Sequence, residues 1–191
     1  MNEKIIEKSF YIQNAVGLAK SLLGKLLVRK YNKGEKRYFI ITETEAYLGE
    51  EDKACHCSKG KTERTKVMYE EGGTIYIYLI YGMYWMLNIV SGKKDKPEAV
   101  LIRGIAEISE DGKLIKHYDG PGKAGKVLEI SKELFNGKKI YKKSTGLYIS
   151  SPKHKISFKM EQLPRVGINY AGEPWISKPW RFVAKELILS E

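Results

Sequence analysis

The stretch "TIYIYLIYGMYWMLNIV", residues 74–90, is the most apolar segment of the chain, and its pattern decides the predicted fold. Ile75–Ile80 and Tyr84–Val90 each have the length of a strand and are rich in aromatic and β-branched residues. Gly82 lies between them and can take the positive φ that a tight turn requires. The pattern therefore predicts a β-hairpin with Tyr81 at its tip.

A membrane span is the main alternative for this stretch, and three features argue against it. Residues 75–90 are fewer than the roughly 20 that cross a bilayer. Gly82 and Asn88 interrupt the apolar run, and its tyrosines are spread along it instead of lying at its ends. We therefore expect no membrane span and no membrane partner.

The composition as a whole is strongly basic. The 191 residues include 34 Lys and Arg against 23 Asp and Glu, which gives a net charge of +11. These charges are scattered along the chain, which favours a basic face that meets nucleic acid or an anionic membrane. A merely solvated, lysine-rich surface remains an alternative on composition alone.

The length predicts one domain over residues 1–191. The N-terminus lacks a signal-peptide pattern and only two cysteines are present, so we expect a reducing cytoplasm.

Further patterns on either side of the hairpin predict a mixed α and β protein. Asn14 is placed to cap a helix that ends at Gly24 and turns Val16, Ala19, Leu22 and Leu23 to one face. Strand-like runs are "KLLVRKY" and "RYFIITETEAYL", joined by the turn "NKGEK", then "EAVLIRGI" and the C-terminal "RFVAKELIL". The charged segment "EDKACHCSKGKTERTK" is predicted to be an exposed loop. Together they predict an α+β single domain.

The segment "GPGKAGKV", residues 120–127, matches two phosphate-loop patterns incompletely. The second pattern needs Ser or Thr where the chain has Val127, and "LIKHYDG" before it is not a clean buried strand. We prefer a loop that leads into a helix, whose first amides together with Lys123 and Lys126 hold one DNA phosphate.

"CHC", residues 55–57, raises the question of a metal site. Zinc takes about four ligands, and the remaining histidines, His117 and His154, stand alone in the sequence. On an extended chain both thiols would point to one side and His56 to the other. We therefore predict no metal. His56 is either a surface residue or a hydrogen-bonding group in a pocket.

Three polar residues stand in strand-like runs and admit two interpretations. Glu45, in "TETEAY", is either a solvated strand residue or an acid–base group close to Tyr47 and His56. Arg103 either faces an edge or points into a cleft beside Glu45. Asn88, inside an apolar strand, must find hydrogen-bond partners in the backbone or in a ligand.

In order along nearly the whole chain, these segments resemble the alkyladenine DNA glycosylase family, the eukaryotic-type 3-methyladenine DNA glycosylases. The resemblance is carried by "ETEAYLG-ED-A-H", "HCSKGKTER", "G-TIYIYLIYGMY---N", "VLIRG", "DGPGKAGKVLEI" and "RVGINYAGEPWISKPWRF". One departure is Met68-Tyr69, where the family commonly has Met-Phe. The implied fold is an α+β single domain with a mixed or antiparallel curved sheet, flanking helices and a protruding hairpin that inserts into DNA.

The resemblance also implies a role for each residue that carries it. Glu45 matches the general base that activates a water, and Arg103 an arginine near that water. Tyr47, His56 and Tyr78 match residues that sandwich and hydrogen-bond the extruded base. Asn88 matches the residue that clashes with the amino group of normal guanine, and Tyr81 matches the tyrosine that fills the gap left in the base stack. Apart from the resemblance, Arg64, Lys123 and Lys126 are candidates for phosphate contacts.

The implied activity is that of a monofunctional DNA glycosylase without lyase activity. Its expected substrates are 3-methyladenine, 7-methylguanine, hypoxanthine and ethenoadenine in double-stranded DNA, and it uses no cofactor. We expect a monomer, in the cytoplasm at the nucleoid if bacterial and in the nucleus if eukaryotic. The alternatives are a damage-recognising DNA-binding protein without activity and, for residues 120–127, a P-loop nucleotide hydrolase.

Overall fold

The computed structural model describes residues 4–153 and 155–190, with the side chain of residue 33 left out. His154, named in the metal argument, lies outside these residues. The strands are β1 Lys4–Ile5, β2 Leu26–Lys30, β3 Lys36–Leu48, β4 Ile75–Ile80, β5 Tyr84–Ser91, β6 Glu98–Ile108, β7 Leu114–Asp119, β8 Leu147–Ser151, β9 Lys155–Leu163 and β10 Arg181–Ser190. The α-helices are α1 Ala15–Leu22, α2 Pro121–Val127 and α3 Lys132–Phe135. Short 3-10 turns cover Lys8–Tyr11, Asn32–Gly34, His56–Lys59, Lys66–Tyr69, Lys143–Thr145 and Asn169–Ala171.

The strands of the described residues join into a single 10-stranded sheet, and its main order is β1-β8-β2-β3-β6-β5-β4. Every pairing between these strands is antiparallel. The two long strands β3 and β6 lie at its centre, and β10 adds to the second half of β3 beyond the end of β2. The predictions of an α+β fold and of an antiparallel sheet with helices are confirmed.

The sheet carries different layers on its two faces because side chains alternate along each strand. The helices cover one face, where a large apolar cluster includes Leu18 of α1, Ala46 of β3, Ile89 of β5 and Ile102 of β6. On the opposite face a second cluster joins residues of β4, β5 and β6 to the segment that follows β3, namely Tyr76, Val90, Ala99, Cys55, Cys57, Met68 and Tyr69. The polar residues singled out from the sequence lie on this second face or beside it.

Helix α1 begins as predicted, but its buried face differs in detail. The side chain of Asn14 accepts a hydrogen bond from the Gly17 amide at 2.8 Å, which caps the helix. The buried residues are Ala15, Leu18, Ala19 and Leu22, while the predicted Val16 is only half-buried. On this buried side, Thr44 of β3 donates its hydroxyl to the Ala19 carbonyl at 2.9 Å, which joins the helix to the sheet.

The prediction of an exposed loop over residues 51–66 is wrong for half of the segment. Asp52, Ala54, Cys55 and Cys57 are buried. The segment folds under the sheet because the Asp52 carboxylate is neutralised by a buried arginine, Arg165. Residues 56–59 form a 3-10 turn instead of an extended chain, although the two cysteines still join one apolar cluster.

The structure bears on two further sequence interpretations near Gly120. The run before Gly120 is a strand, β7, and it is exposed along most of its length, which confirms that it is not a buried strand. The helix predicted for segment 120–127 is present, but it already begins at Pro121, so almost none of the predicted loop precedes it. Strand β10 is confirmed, and it pairs with β9, a strand that the sequence did not predict. No helix within the described ranges is long and apolar enough to cross a membrane.

Candidate active site

Strand register brings the site together from four strands. Glu45 of β3 lies opposite Leu101 of β6, Leu101 lies opposite Asn88 of β5, and Asn88 lies opposite Tyr76 of β4. Directly paired residues point to the same face of an antiparallel sheet. The row therefore places Glu45, Asn88 and Tyr76 on the face that lacks the helices, although they are far apart in the sequence.

Glu45 is fully buried and held by three groups. Its Oε1 accepts a hydrogen bond from the Val166 amide at 2.8 Å and lies 3.5 Å from Nε of Arg103. Its Oε2 accepts a hydrogen bond from the Tyr47 hydroxyl at 2.8 Å. Because a carboxylate offers about four lone-pair positions, both oxygens can still accept another donor. The three contacts fix the orientation of the carboxylate before any ligand is present.

Burial raises the pKa of Glu45 above its ordinary value, even though Arg103, the Val166 amide and the Tyr47 hydroxyl all oppose this shift. Burial, with the negative charge of Glu45, also raises the pKa of Tyr47 well above its usual range. Tyr47 therefore stays protonated and keeps donating to Glu45. A carboxylate with a raised pKa is a stronger base, which suits proton abstraction near neutral pH.

A second carboxylate, Glu43, accepts hydrogen bonds from two arginines near Glu45, Arg103 and Arg181. Its Oε1 accepts from Nε of Arg103 at 3.0 Å and from an Nη of Arg181 at 3.0 Å. A register irregularity in β3 between Ile41 and Thr44 accompanies this arrangement, and such bulges re-aim side chains near active sites. Arg103 thus points towards Glu45 instead of facing an edge of the sheet.

A pocket with a cavity volume of about 50 Å³ opens beside Tyr47, the residue that donates to Glu45. Its lining is mostly aromatic or small: Tyr47, Ala54, Cys55, His56, Met68, Tyr76, Tyr78, Asn88, Ala99 and Tyr170. Asn88 donates its side-chain amide to the carbonyls of Tyr76 and Met86, each at 3.3 Å, which fixes the side chain at the wall. Four predicted base-pocket residues, Tyr47, His56, Tyr78 and Asn88, line this one pocket. Glu45 lies behind Tyr47 and is closed off from solvent.

His56 is a neutral imidazole at this site. Its ring meets Tyr78 edge to face with centroids 4.4 Å apart, and Nδ1 lies 3.1 Å from the Tyr76 hydroxyl. Burial, with a smaller contribution from Arg64, lowers the pKa of His56 to about 4. An Nη of Arg64 lies 3.5 Å from Nε2 of the same ring. Arg64 is exposed at the pocket mouth, with its guanidinium 5.6 Å from the Tyr78 ring centre.

The hairpin predicted over residues 75–90 is present, and its tip is exposed. β4 and β5 pair from Ile75–Ile89 to Ile80–Tyr84. Tyr81 and Gly82 both have positive φ, 51° and 68°, a conformation that is uncommon for a tyrosine and therefore strained. The Tyr81 side chain is 82% exposed, and Met83 beside it is 66% exposed.

Two of the three glycines in residues 120–127, Gly122 and Gly125, permit close packing. A Cβ at Gly125 would lie 2.2 Å from the Trp85 carbonyl oxygen, and one at Gly122 would lie 3.0 Å from the Tyr84 ring. Both glycines therefore let α2 approach β5 closely, which explains the pattern without a phosphate loop. Lys123 and Lys126 are exposed on α2.

Comparison with known proteins shows which protein family the chain resembles. A family model described as methylpurine-DNA glycosylase matches residues 9–187. The chain is 40% identical to a relative from Natranaerobius thermophilus and 43% identical to one from Bdellovibrio bacteriovorus, and each match covers 95% of this chain and 96% of the relative. A relative from Methanocella arvoryzae is 42% identical over 95% of this chain and 92% of its own length. All three are named "Putative 3-methyladenine DNA glycosylase".

The chain belongs to the methylpurine-DNA glycosylase family. This membership confirms the resemblance inferred from the sequence, and with it the class, a DNA glycosylase. The substrates, the mechanism and the roles of the individual residues stay predictions.

Several residues in or next to the candidate site were missed from the sequence. Tyr76 could have been found, since it shares a strand face with Tyr78 and pairs with Asn88. Val166 and Arg165 lie in an irregular segment between β9 and β10 where no periodic signal exists. The described part of the chain groups no three His, Cys, Asp or Glu side chains in a way that could hold a metal ion.

Proposed function

We propose that this protein is a monofunctional DNA glycosylase that flips out damaged purines and hydrolyses the N-glycosidic bond with a water activated by Glu45. The observation that carries the proposal is the arrangement of Glu45, a buried carboxylate of raised pKa fixed by Tyr47 and Val166 directly behind an aromatic pocket. The substrates proposed are 3-methyladenine, 7-methylguanine, hypoxanthine and ethenoadenine in double-stranded DNA.

The proposed chemistry uses Glu45 in two ways. Cleavage passes through an oxocarbenium-like sugar, so a nearby carboxylate stabilises the developing positive charge and takes the proton of the attacking water. Since Glu45 is closed off from solvent in the free protein, the DNA complex must admit one water between its carboxylate and the anomeric carbon. Arg103, 3.5 Å from Glu45, would orient that water. No lyase chemistry and no cofactor enter this scheme.

The pocket walls fit a purine that has lost its stacking partners. Tyr78 and Tyr47 offer ring faces, and an electron-rich face favours the cationic rings of methylated purines. His56, whose pKa is lowered to about 4 by burial, would be neutral and would not repel such a cation. Asn88 is held by two backbone carbonyls and would clash with the amino group of an undamaged guanine.

The hairpin tip fits the second task, which is to hold the duplex open. Flipping a nucleotide costs a few kcal/mol, and an inserted side chain offsets part of that cost. Tyr81, exposed and strained at the tip, is the side chain placed to enter the stack. Arg64, Lys123 and Lys126 would contact phosphates, and the net charge of +11 suits this partner. We propose that the protein acts as a monomer, at the nucleoid of a bacterial cell or in the nucleus of a eukaryotic one.

The test is a panel of duplexes, each carrying one of the four damaged purines, assayed for free base and for the abasic site left behind. We expect release of free base from at least the methylated purine, with the DNA strand left intact until alkali is added. Matched duplexes with undamaged adenine or guanine serve as controls.

The same assay separates the rival functions. A damage-recognising protein without activity would bind the lesion duplexes and release no base, which would overturn the proposal. Strand cleavage without alkali would contradict the monofunctional assignment alone.

A further inference from the structure

A buried ion pair lies outside the pocket wall, behind Tyr47. An Nη of Arg165 contacts Oδ2 of Asp52 at 2.5 Å, and the other Nη donates to Oδ1 at 2.9 Å. Both side chains are fully buried. Such a planar, bidentate pair fixes orientation as well as charge.

Each partner of this pair also holds the backbone on either side of the pocket. Arg165 donates to the Ala46 carbonyl at 2.9 Å, between Glu45 and Tyr47. The carboxylate of Asp52 accepts from the Leu48 amide at 3.1 Å and from the Ala54 amide at 3.0 Å. The pair therefore joins the end of β3 to the segment that carries His56.

Arg165 is also connected to Glu45 through the Tyr47 ring and through its neighbour in the chain, Val166. Its guanidinium carbon lies 4.8 Å from the centre of the Tyr47 ring and 5.0 Å from that of Trp180, so it supports the ring that donates to Glu45. The next residue, Val166, donates its amide to Glu45. Displacing Arg165 would consequently disturb both oxygens of the Glu45 carboxylate.

We propose that Asp52 and Arg165 are positioning residues for the Glu45 carboxylate and the Tyr47 ring. This inference rests on the proposed function, because it concerns the same site. The pair touches neither the pocket nor the reacting atoms and acts through Tyr47, Val166 and the backbone of β3.

Stability alone does not account for such a pair. Removing two charges from water costs about as much as their attraction returns, and apolar residues of similar volume often serve equally well. Nε of Arg165 is also buried without a hydrogen-bond partner in the described residues. The Asp52 carboxylate accepts four directional hydrogen bonds, and a requirement to fix the orientation of the groups around it explains them better than a gain in stability does.

The experiment compares Arg165→Lys and Asp52→Asn with wild type in single-turnover base release at saturating enzyme, over a pH series. The matched control is Arg37→Lys, which alters another bidentate pair, Arg37–Glu107, with contacts of 2.6 and 2.7 Å. We expect a roughly 10- to 100-fold slower release for both site variants, in line with a lost charged hydrogen bond, and near wild-type release for Arg37→Lys.

The pH series separates positioning from folding. The Val166 amide and the Tyr47 hydroxyl lower the pKa of Glu45, so their loss moves the acidic limb of the rate profile to higher pH. A lower melting temperature with unchanged rate and unchanged limb would overturn the inference while leaving the proposed function standing. If one variant does not fold, the other decides by the same criteria, and if neither folds, the pair is structural and the inference fails. Absence of release by wild type would overturn the proposed function and this inference with it.

Discussion

The pocket and the hairpin tip are both aromatic, yet they differ in what their rings contact. In the pocket, Tyr47, His56 and Tyr76 are engaged by hydrogen bonds within the protein. At the tip, Tyr81 is 82% exposed and holds a strained left-handed backbone. The pocket is organised before a substrate arrives, whereas the tip leaves the apolar side chains of Tyr81 and Met83 exposed.

This difference predicts that the pocket governs the rate of the chemical step and that the hairpin tip governs the affinity for DNA. Changes in the pocket should slow the chemical step, because they disturb groups that are fixed around the reacting atoms. Changes at the tip should weaken binding, because they remove contacts that form only with DNA.

Tyr81→Ser should weaken binding to a lesion duplex by about 10- to 100-fold, since a stacking ring contributes roughly 1–3 kcal/mol. The single-turnover rate at saturating enzyme should change much less. Tyr81→Phe keeps the ring and is the matched control, with affinity close to wild type. Titration of a labelled duplex measures the affinity, and a rate defect with intact affinity would contradict this role of the tip.

His56 should make the protein sensitive to acid. Its pKa is about 4 in the folded protein against 6.5 for a free side chain. As the pH falls from about 6.5 to 4, the unfolded chain takes up a proton that the folded chain does not, so the free energy of unfolding decreases. We expect a loss on the order of 1 to 2 kcal/mol, below the full shift because the side chain keeps some solvent contact.

Urea denaturation of wild type and His56→Gln at a series of pH values measures this loss. The difference in unfolding free energy between the two proteins should shift in favour of the variant as the pH falls through this window. A difference that does not change with pH would show that His56 is not buried in its neutral form.

The smallest effect concerns Lys123 and Lys126. Each phosphate contact changes the slope of log affinity against log salt by about 0.9, so Lys123→Ala and Lys126→Ala should each flatten that slope by roughly this amount. Lys159→Ala, at an exposed position of strand β9, is the control and should leave it unchanged. Equal slopes for all the proteins would exclude both lysines from the phosphate contacts.

The sequence predicted those parts of the molecule that carry local signals. The hairpin followed from strand-length runs on either side of Gly82, and α1 followed from Asn14 as its cap. The residues of the pocket were named through the family resemblance, and the register row from Glu45 to Tyr76 explains physically why they meet.

What the sequence could not predict depends on contacts between distant segments. Asp52 lies in a charged run that resembles a solvated loop, and its partner Arg165 is 113 residues away. The hydrogen bond from the Val166 amide could not be predicted from the residue type, since the backbone of any residue other than proline could donate there. The burial of Asp52 and of the apolar residues that follow it was missed for the same reason, because the charge that neutralises Asp52 comes from Arg165, far along the chain.

The central claim is that Glu45 performs the chemistry while other residues hold the DNA. The most direct test is single-turnover base release by Glu45→Gln, measured beside its affinity for the same lesion duplex. Loss of a general base predicts a rate about 100- to 10,000-fold lower, with affinity close to wild type because the shape of the side chain is retained. Release at the wild-type rate would contradict the account.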